Sequence, residues 1–301
     1  MSEQGKDNAR KRPAKPGRLD RKRAHGKERS ASASRASSRG RNGKRAHSAG
    51  SGLDLAALAG ASALEVSSVP LSLDAGRAGG EPSAAVRREL ARALGLRVED
   101  IASFSLVKRS VDARKKSNVH FNATFRVELA EGALGKARPL RGVRVCAWNP
   151  PEPLEIPDLS SVAKEGDSRI VVAGTGPAGL FCALYLAEAG LRPLVVERGA
   201  AVEERMAAIE AFNAGGPLDV RTNVQFGEGG AGTFSDGKLT TGTKSPHIRH
   251  VLEAFTAAGA PEEILWQAKP HIGTDKLPDI VRNLCKRIVA AGGEVRFLSR
   301  L

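Results

Sequence analysis

Large apolar residues are almost absent from the first 52 positions and then recur in two successive patterns. Residues 53–68 are rich in Ala and Leu and predict a short helix or a linker. From Val69 the spacing becomes regular. Val69–Leu73 alternates as a half-buried strand does. Glu81-Pro82-Ser83 opens a helix that runs to about Leu94, with Gly95 as its stop. Ile101–Lys108 and Val119–Leu129 predict a pair of strands. The second alternates cleanly through Val119, Phe121, Ala123, Phe125, Val127 and Leu129. Val143–Ala147 is a further strand. Together these make residues 69–148 a small α+β domain, and the proline-rich segment 149–168 reads as a linker.

The second pattern has a longer period. Arg169–Ala173 is a short β-branched run, read as a buried strand. Leu180, Ala183, Leu184, Ala187 and Leu191 follow at helical spacing, and Leu194–Val196 is a second strand. A helix over Val202–Phe212 comes next, then an amphipathic helix over Pro246–Ala258 stopped by Gly259. Ala260-Pro261-Glu262-Glu263 carries acids where a helix N-terminus favours them. Lys276–Ala291 is a helix closed by Gly292-Gly293, and Glu294–Leu298 is a strand. Strands alternating with helices predict an α/β fold with a parallel sheet over residues 169–301.

Candidate chemistry sits at the first strand–helix junction. Gly174, Gly176 and Gly179 form G-x-G-x-x-G, and Glu197 closes the second strand, 21 residues after Gly176. Gly174 lets the chain turn sharply, Gly176 leaves room for a pyrophosphate, and Gly179 allows tight helix–strand packing. Pro177 costs little in a first turn, where its missing N–H would be unpaired anyway. With Ala178 it begins the helix whose free N–H groups favour an anion. Glu197 is placed to accept from the ribose hydroxyls of an adenosine, with Arg198 next to it.

A second candidate is the stretch Asn223–Thr243, which holds six glycines in 21 residues. Its Phe226, Phe234 and Leu239 argue for a packed loop whose backbone presses on a ligand. Lys108, Arg109, Arg114, Lys115 and Lys116 lie between two strands and read either as an anion-binding loop or as a solvated hairpin tip. His247 and His250 are the only close histidine pair, with no carboxylate cluster beside them, so no metal is expected. Cys146, Cys182 and Cys285 are far apart and odd in number, which suits a reducing compartment without a disulfide framework. Cys182 reads as a small buried hydrophobe on the glycine-turn helix.

Charge changes the picture only at the N-terminus. The net charge is +14, and residues 1–52 supply most of it, with 16 Lys+Arg against 4 Asp+Glu. This Arg-, Lys- and Ser-rich segment cannot bury enough surface to offset its ordering entropy, so it reads as a disordered basic tail. Three roles stay open for it: a solvated tail, a weak and non-specific RNA or DNA contact, or a plastid or other organelle transit peptide. No apolar run approaches the roughly 18 residues of a membrane span. A cytoplasmic location is expected, with an organelle as the alternative if the tail is a transit peptide.

GTGPAGLFCALYLAEAGLRPLVVERG, NVQFGEGGAGTFSDGKLTTGTK, GAPEEILWQAKPHIGTDKL and GGEVRFLSRL together resemble a family of FAD-dependent dehydrogenases of bacteria with relatives in plastids. KRSVDARKKSNVHF is similar to that family's N-terminal domain, so the resemblance runs from about Val69 to Leu301. It implies FAD in a Rossmann-like fold, with adenosine diphosphate on Gly174–Gly179 and Glu197. It also implies that Gly229, Gly230, Gly232, Thr233 and Ser235 line the cofactor. Lys238 is the best polar candidate to lie near the flavin ring, and NAD(P)H is a candidate electron donor. The resemblance carries no substrate. Flavoproteins of this kind return to the FAD domain after building a substrate domain. Residues 169–301 therefore predict an incomplete parallel sheet, the N-terminal part of a longer enzyme completed by a separate C-terminal half. The competing reading is a ligand-sensing or nucleic-acid-associated protein with a catalytically incomplete dinucleotide-binding fold.

Overall fold

The computed structural model describes residues 53–58, 60–77, 83–162 and 169–301. The basic tail, the helix-opening pair Glu81-Pro82 and positions 163–168 lie outside the described residues.

Helix α1 (Leu55–Leu58) precedes strand β1 (Leu64–Leu71), α2 (Leu73–Arg77) and α3 (Ala84–Leu94). Strands β2 (Ile101–Asp112), β3 (His120–Leu129) and β4 (Arg144–Ala147) follow, in an antiparallel sheet of order β2-β3-β1-β4. Ser83 caps α3 by accepting from the Val86 N–H at 3.2 Å, and Gly95 closes it, as the sequence predicts. The helix buries Val86, Leu90 and Leu94 in a core that also holds Val66, Val69, Phe104, Phe125 and Val127. Phe104 and Phe125 meet edge to face at 5.9 Å.

Strand β1 starts five residues before the expected Val69 and ends at Leu71, and Leu73 already belongs to α2. A bulge between Val66 and Val69, with Ser68 at φ 63°, resets the side-chain phase. Leu64 and Val66 face the core before the bulge, and Val69 and Leu71 face it afterwards. The interruption hides the first half of the strand from a period-two reading.

Strand β2 also runs on to Asp112, beyond the expected Lys108. Lys108 and Arg109 are thus strand residues, and the turn begins later. Arg109 stays in the sheet, opposite Ala123, but turns its backbone N–H and carbonyl away from β3. Its N–H donates to the Trp266 carbonyl at 2.8 Å, and its carbonyl accepts from the Ala268 N–H at 2.9 Å. Its guanidinium lies between the rings of Phe121 and Trp266, at 4.6 and 4.4 Å.

The second sheet is parallel, of order β5-β6-β7: β5 (Val171–Ala173), β6 (Leu194–Val196) and β7 (Glu294–Arg296). Helix α4 (Pro177–Glu188) connects the first two strands. Helices α5 (Val202–Asn213), α6 (Ile248–Ala257) and α7 (Leu277–Ala290) lie between β6 and β7. Helices α4 and α7 pack Leu180, Ala183, Leu184, Ile280, Leu284 and Ile288 against Val172 and Val195. The result is a mixed α/β structure with a parallel three-stranded sheet. Strand β5 is an edge, and its Ile170 and Val171 flank is 40 % and 48 % exposed. Among the described residues no helix is long and apolar enough to cross a membrane.

Candidate functional site

The three strands point their carboxyl ends at the glycine turn. Gly174 leaves β5 at φ 91°, a conformation that a side chain would strain, and its N–H donates to the Val196 carbonyl at 2.7 Å. Gly176 caps α4, and Pro177 takes its first position. A Cβ on Gly179 would stand 2.0 Å from the Gly174 carbonyl oxygen, so helix and turn touch there. A Cβ on Gly176 would meet nothing within 4 Å. Open space therefore faces the first turn of α4, where helical geometry leaves N–H groups such as those of Ala178 and Gly179 without intrahelical partners.

Glu197 is 6 % exposed. Its Oε2 accepts from the Thr175 N–H at 2.8 Å and the Thr175 hydroxyl at 2.9 Å, and its Oε1 accepts from the Gly199 N–H at 2.8 Å. Burial pushes this carboxyl up. The hydrogen bonds from Thr175 and Gly199, with the charge of Arg205, outweigh burial and hold it below the ordinary glutamate range. A depressed native pKa contributes stability above the unfolded value, near 4.5, that is lost as pH falls through the native one. Glu197→Gln should therefore cost about 1–3 kcal/mol at pH 7 and flatten part of the acid limb of stability. Melts between pH 7 and pH 3 check this; an acid limb identical to wild type would refute it.

The glycine-dense loop forms the second wall. The Gly229 N–H donates to the Thr175 carbonyl at 2.9 Å, and a Cβ on Gly230 would lie 3.3 Å from both Gly176 Cα and Pro177 Cδ. Residues Gly230–Phe234 make a 3-10 turn. Buried Thr233 donates to the Glu228 carbonyl at 3.3 Å, and the Ser235 hydroxyl donates to the Gly232 carbonyl at 2.7 Å. Gly232, like Gly176, faces open space. Lys238 is held by a different segment: its backbone bridges to His271, and its ammonium pairs with Asp236 at 3.0 Å, the side chain being 73 % exposed.

A cleft of about 280 Å³ opens at the strand ends, with Gly174, Glu197, Arg198, Phe226, Ser299 and Arg300 in its lining. The Arg198 guanidinium stacks on Phe226 at 3.6 Å. The Ser299 and Leu298 N–H groups donate to the Glu197 and Gly199 carbonyls at 2.8 and 3.0 Å, closing one side. Phe226 also borders a second cavity, of about 360 Å³, between α5 and the segment Leu218–Phe226.

One residue that the sequence reading missed is Arg205. It is fully buried, and its guanidinium donates to the carbonyls of Asn223, Val224 and Glu228. Burial lowers it to about 10, against the pull of Glu197 and Glu228. The only hint in the sequence is a lone cation in the helix VEERMAAIEAFN.

None of the remaining candidates lines the cleft. Arg114 pairs with Asp112 beside exposed Lys115 and Lys116. Cys182 is exposed, contrary to expectation, because it falls off the face of α4 that carries Leu180, Ala183, Leu184 and Ala187. Cys285 is the buried thiol, and burial with Glu228 beside it pushes its pKa up. The His247 and His250 rings lie 6.0 Å apart, and no group of three metal-ligating side chains occurs among the described residues.

Comparison with known proteins follows these two sheets. Residues 68–128 match a domain of unknown function, DUF8436. The chain is 38 % identical over 239 residues to an uncharacterized protein of Clostridium beijerinckii. The alignment takes in 79 % of this chain and 43 % of that relative, so the chain spans less than half the relative's length. Residues 169–231, from β5 through the glycine turn and Glu197 to the start of the 3-10 turn, match the FAD binding domain.

Proposed function

We propose that residues 169–301 form a Rossmann-like cofactor site of an FAD-dependent oxidoreductase that takes electrons from NAD(P)H. The observation that carries this reading is the open space at Gly176, directly before the first turn of α4 and beside a buried carboxylate. The pyrophosphate belongs in that space, held by helix N–H groups. Adenosine belongs in the cleft by Arg198 and Phe226. An ionised carboxylate offers about four acceptor positions; the bonds to Thr175 and Gly199 leave Glu197 capacity for a ribose hydroxyl. The loop Gly229–Ser235 supplies the adjoining wall. Bound FAD would supply hydride and electron transfer, while these residues bind it, orient it and keep water from its phosphates.

The exposed flank of β5 supports a further part of this reading. A strand added to that edge would bury Ile170 and Val171 and complete the flavin side of the site, and an additional polypeptide segment is its source. The chain by itself should then bind FAD within about tenfold of ADP, because only the shared half finds a full set of contacts. Calorimetric titration with FAD and with ADP tests both parts. No binding of either ligand would refute the cofactor site. A yellow protein that retains FAD through gel filtration and is reduced by NAD(P)H would refute the incomplete flavin pocket.

A further inference from the structure

We propose that Arg205 is a positioning residue that sets the phosphate-binding geometry of the glycine turn, acting through the loop Asn223–Gly229; the inference rests on the cofactor reading above. Arg205 is absent from the lining of the cleft. It acts through other groups, and each link is a resolved contact.

The first link is the guanidinium. A buried cation is tolerated only when its donors are satisfied. Arg205 places Nε on the Asn223 carbonyl at 2.9 Å, Nη2 on the Val224 carbonyl at 2.8 Å and Nη1 on the Glu228 carbonyl. One rigid fork thus ties both ends of the loop together, and the Phe234 ring covers it at 4.7 Å. The second link runs the other way. Glu228 accepts from the Val202 N–H at 2.7 Å, the first residue of α5, so helix and loop clamp each other twice. The third link reaches the turn. Immediately after Glu228, the Gly229 N–H donates to the Thr175 carbonyl, and Thr175 in turn donates twice to Glu197.

These contacts form one continuous buried path from α5 to the space before Gly176. Among the described residues, the buried polar or charged side chains other than Asp100 are Thr175, Glu197, Arg205, Glu228 and Thr233, all in this group or in contact with it, and Thr222, joined to Glu228 through Ala200. A lysine would keep the charge but lacks the planar fork, so it could not reach three diverging carbonyls.

The test uses the full chain and two variants, Arg205→Lys and Arg205→Met. Amide exchange is followed at Thr175 and over Asn223–Gly229, and affinities are measured for ADP and for adenosine well below the melting temperature. Arg205→Lys should speed exchange at Gly229 by about tenfold and weaken ADP by about tenfold or more. Adenosine, which lacks the diphosphate, should change by no more than about twofold. Arg205→Met should show the same split more strongly. In the wild type, ADP should slow exchange at Gly229 and Thr175 in parallel, a measurement that stands even if a variant does not fold. A purely structural role would weaken both ligands alike. An unchanged ratio of ADP to adenosine affinity, unchanged Gly229 protection in Arg205→Lys, or uncoupled protection in the wild type overturns the proposal. If the wild type binds neither ligand, the cofactor reading fails, and the exchange measurement on Arg205→Lys still decides whether Arg205 holds the turn.

Discussion

Gly176→Val is expected to abolish ADP and FAD binding, weakening each by about a hundredfold or more, while leaving the melting temperature close to wild type. The two halves of this expectation come from the same observation. A Cβ at position 176 meets nothing within 4 Å, so no protein atom needs to move. The backbone there is at φ −65° and ψ 174°, extended geometry that valine accepts. Loss of a glycine N-cap costs about 1 kcal/mol or less. The two methyl groups nevertheless fill the space that the proposed pyrophosphate needs, and they separate an anion from the N-terminus of α4. Calorimetric titration gives the affinities and a thermal melt gives the stability. ADP binding at the wild-type level would place the ligand elsewhere on the molecule.

Gly179→Ala should do the reverse. Three residues along the same turn, a Cβ would stand 2.0 Å from the Gly174 carbonyl oxygen and 3.0 Å from its carbon. Both are backbone atoms, so no flexible side chain can give way. Helix α4 would have to lift off β5 and take Leu180 and Leu184 away from Val172. Overpacking a close backbone contact of this kind costs about 3 kcal/mol or more, and the melt should move down by several degrees or become non-cooperative. An unaltered melt would mean that α4 is not seated against Gly174. A methyl group at 179 thus probes the fold, whereas the larger substitution at 176 probes the ligand.

What the sequence made legible is what short-range chemistry specifies. Helix α3 was readable from Ser83 at one end and Gly95 at the other, because both caps act within one turn of the chain. The strand–helix turn was readable because Gly174 and Gly179 answer local constraints, a left-handed φ and a close backbone contact. Contacts between distant segments left fainter marks. The bulge at Ser67–Ser68 breaks the alternation of β1, and nothing local announces that Leu64 already faces the core. Arg109 belongs to a basic run by composition and to an aromatic sandwich by structure, and its partner Trp266 is 157 residues away. Arg205 was invisible for the same reason, since the carbonyls that satisfy it come from a loop after the helix ends.

The Arg109 sandwich also gives the chain a built-in optical probe. The sequence holds two tryptophans, Trp148 and Trp266. Trp148 follows β4, with its N–H on the Ala63 carbonyl, and so belongs to the surroundings of the first sheet. Trp266 comes from the helical half but stacks on a strand of that sheet. Its indole emission therefore senses the seam between the two sheets rather than either core. With Trp148 replaced by phenylalanine, a single fluorophore would watch β2 dock and leave. Its red shift during denaturant titration would time that separation against the loss of helical signal.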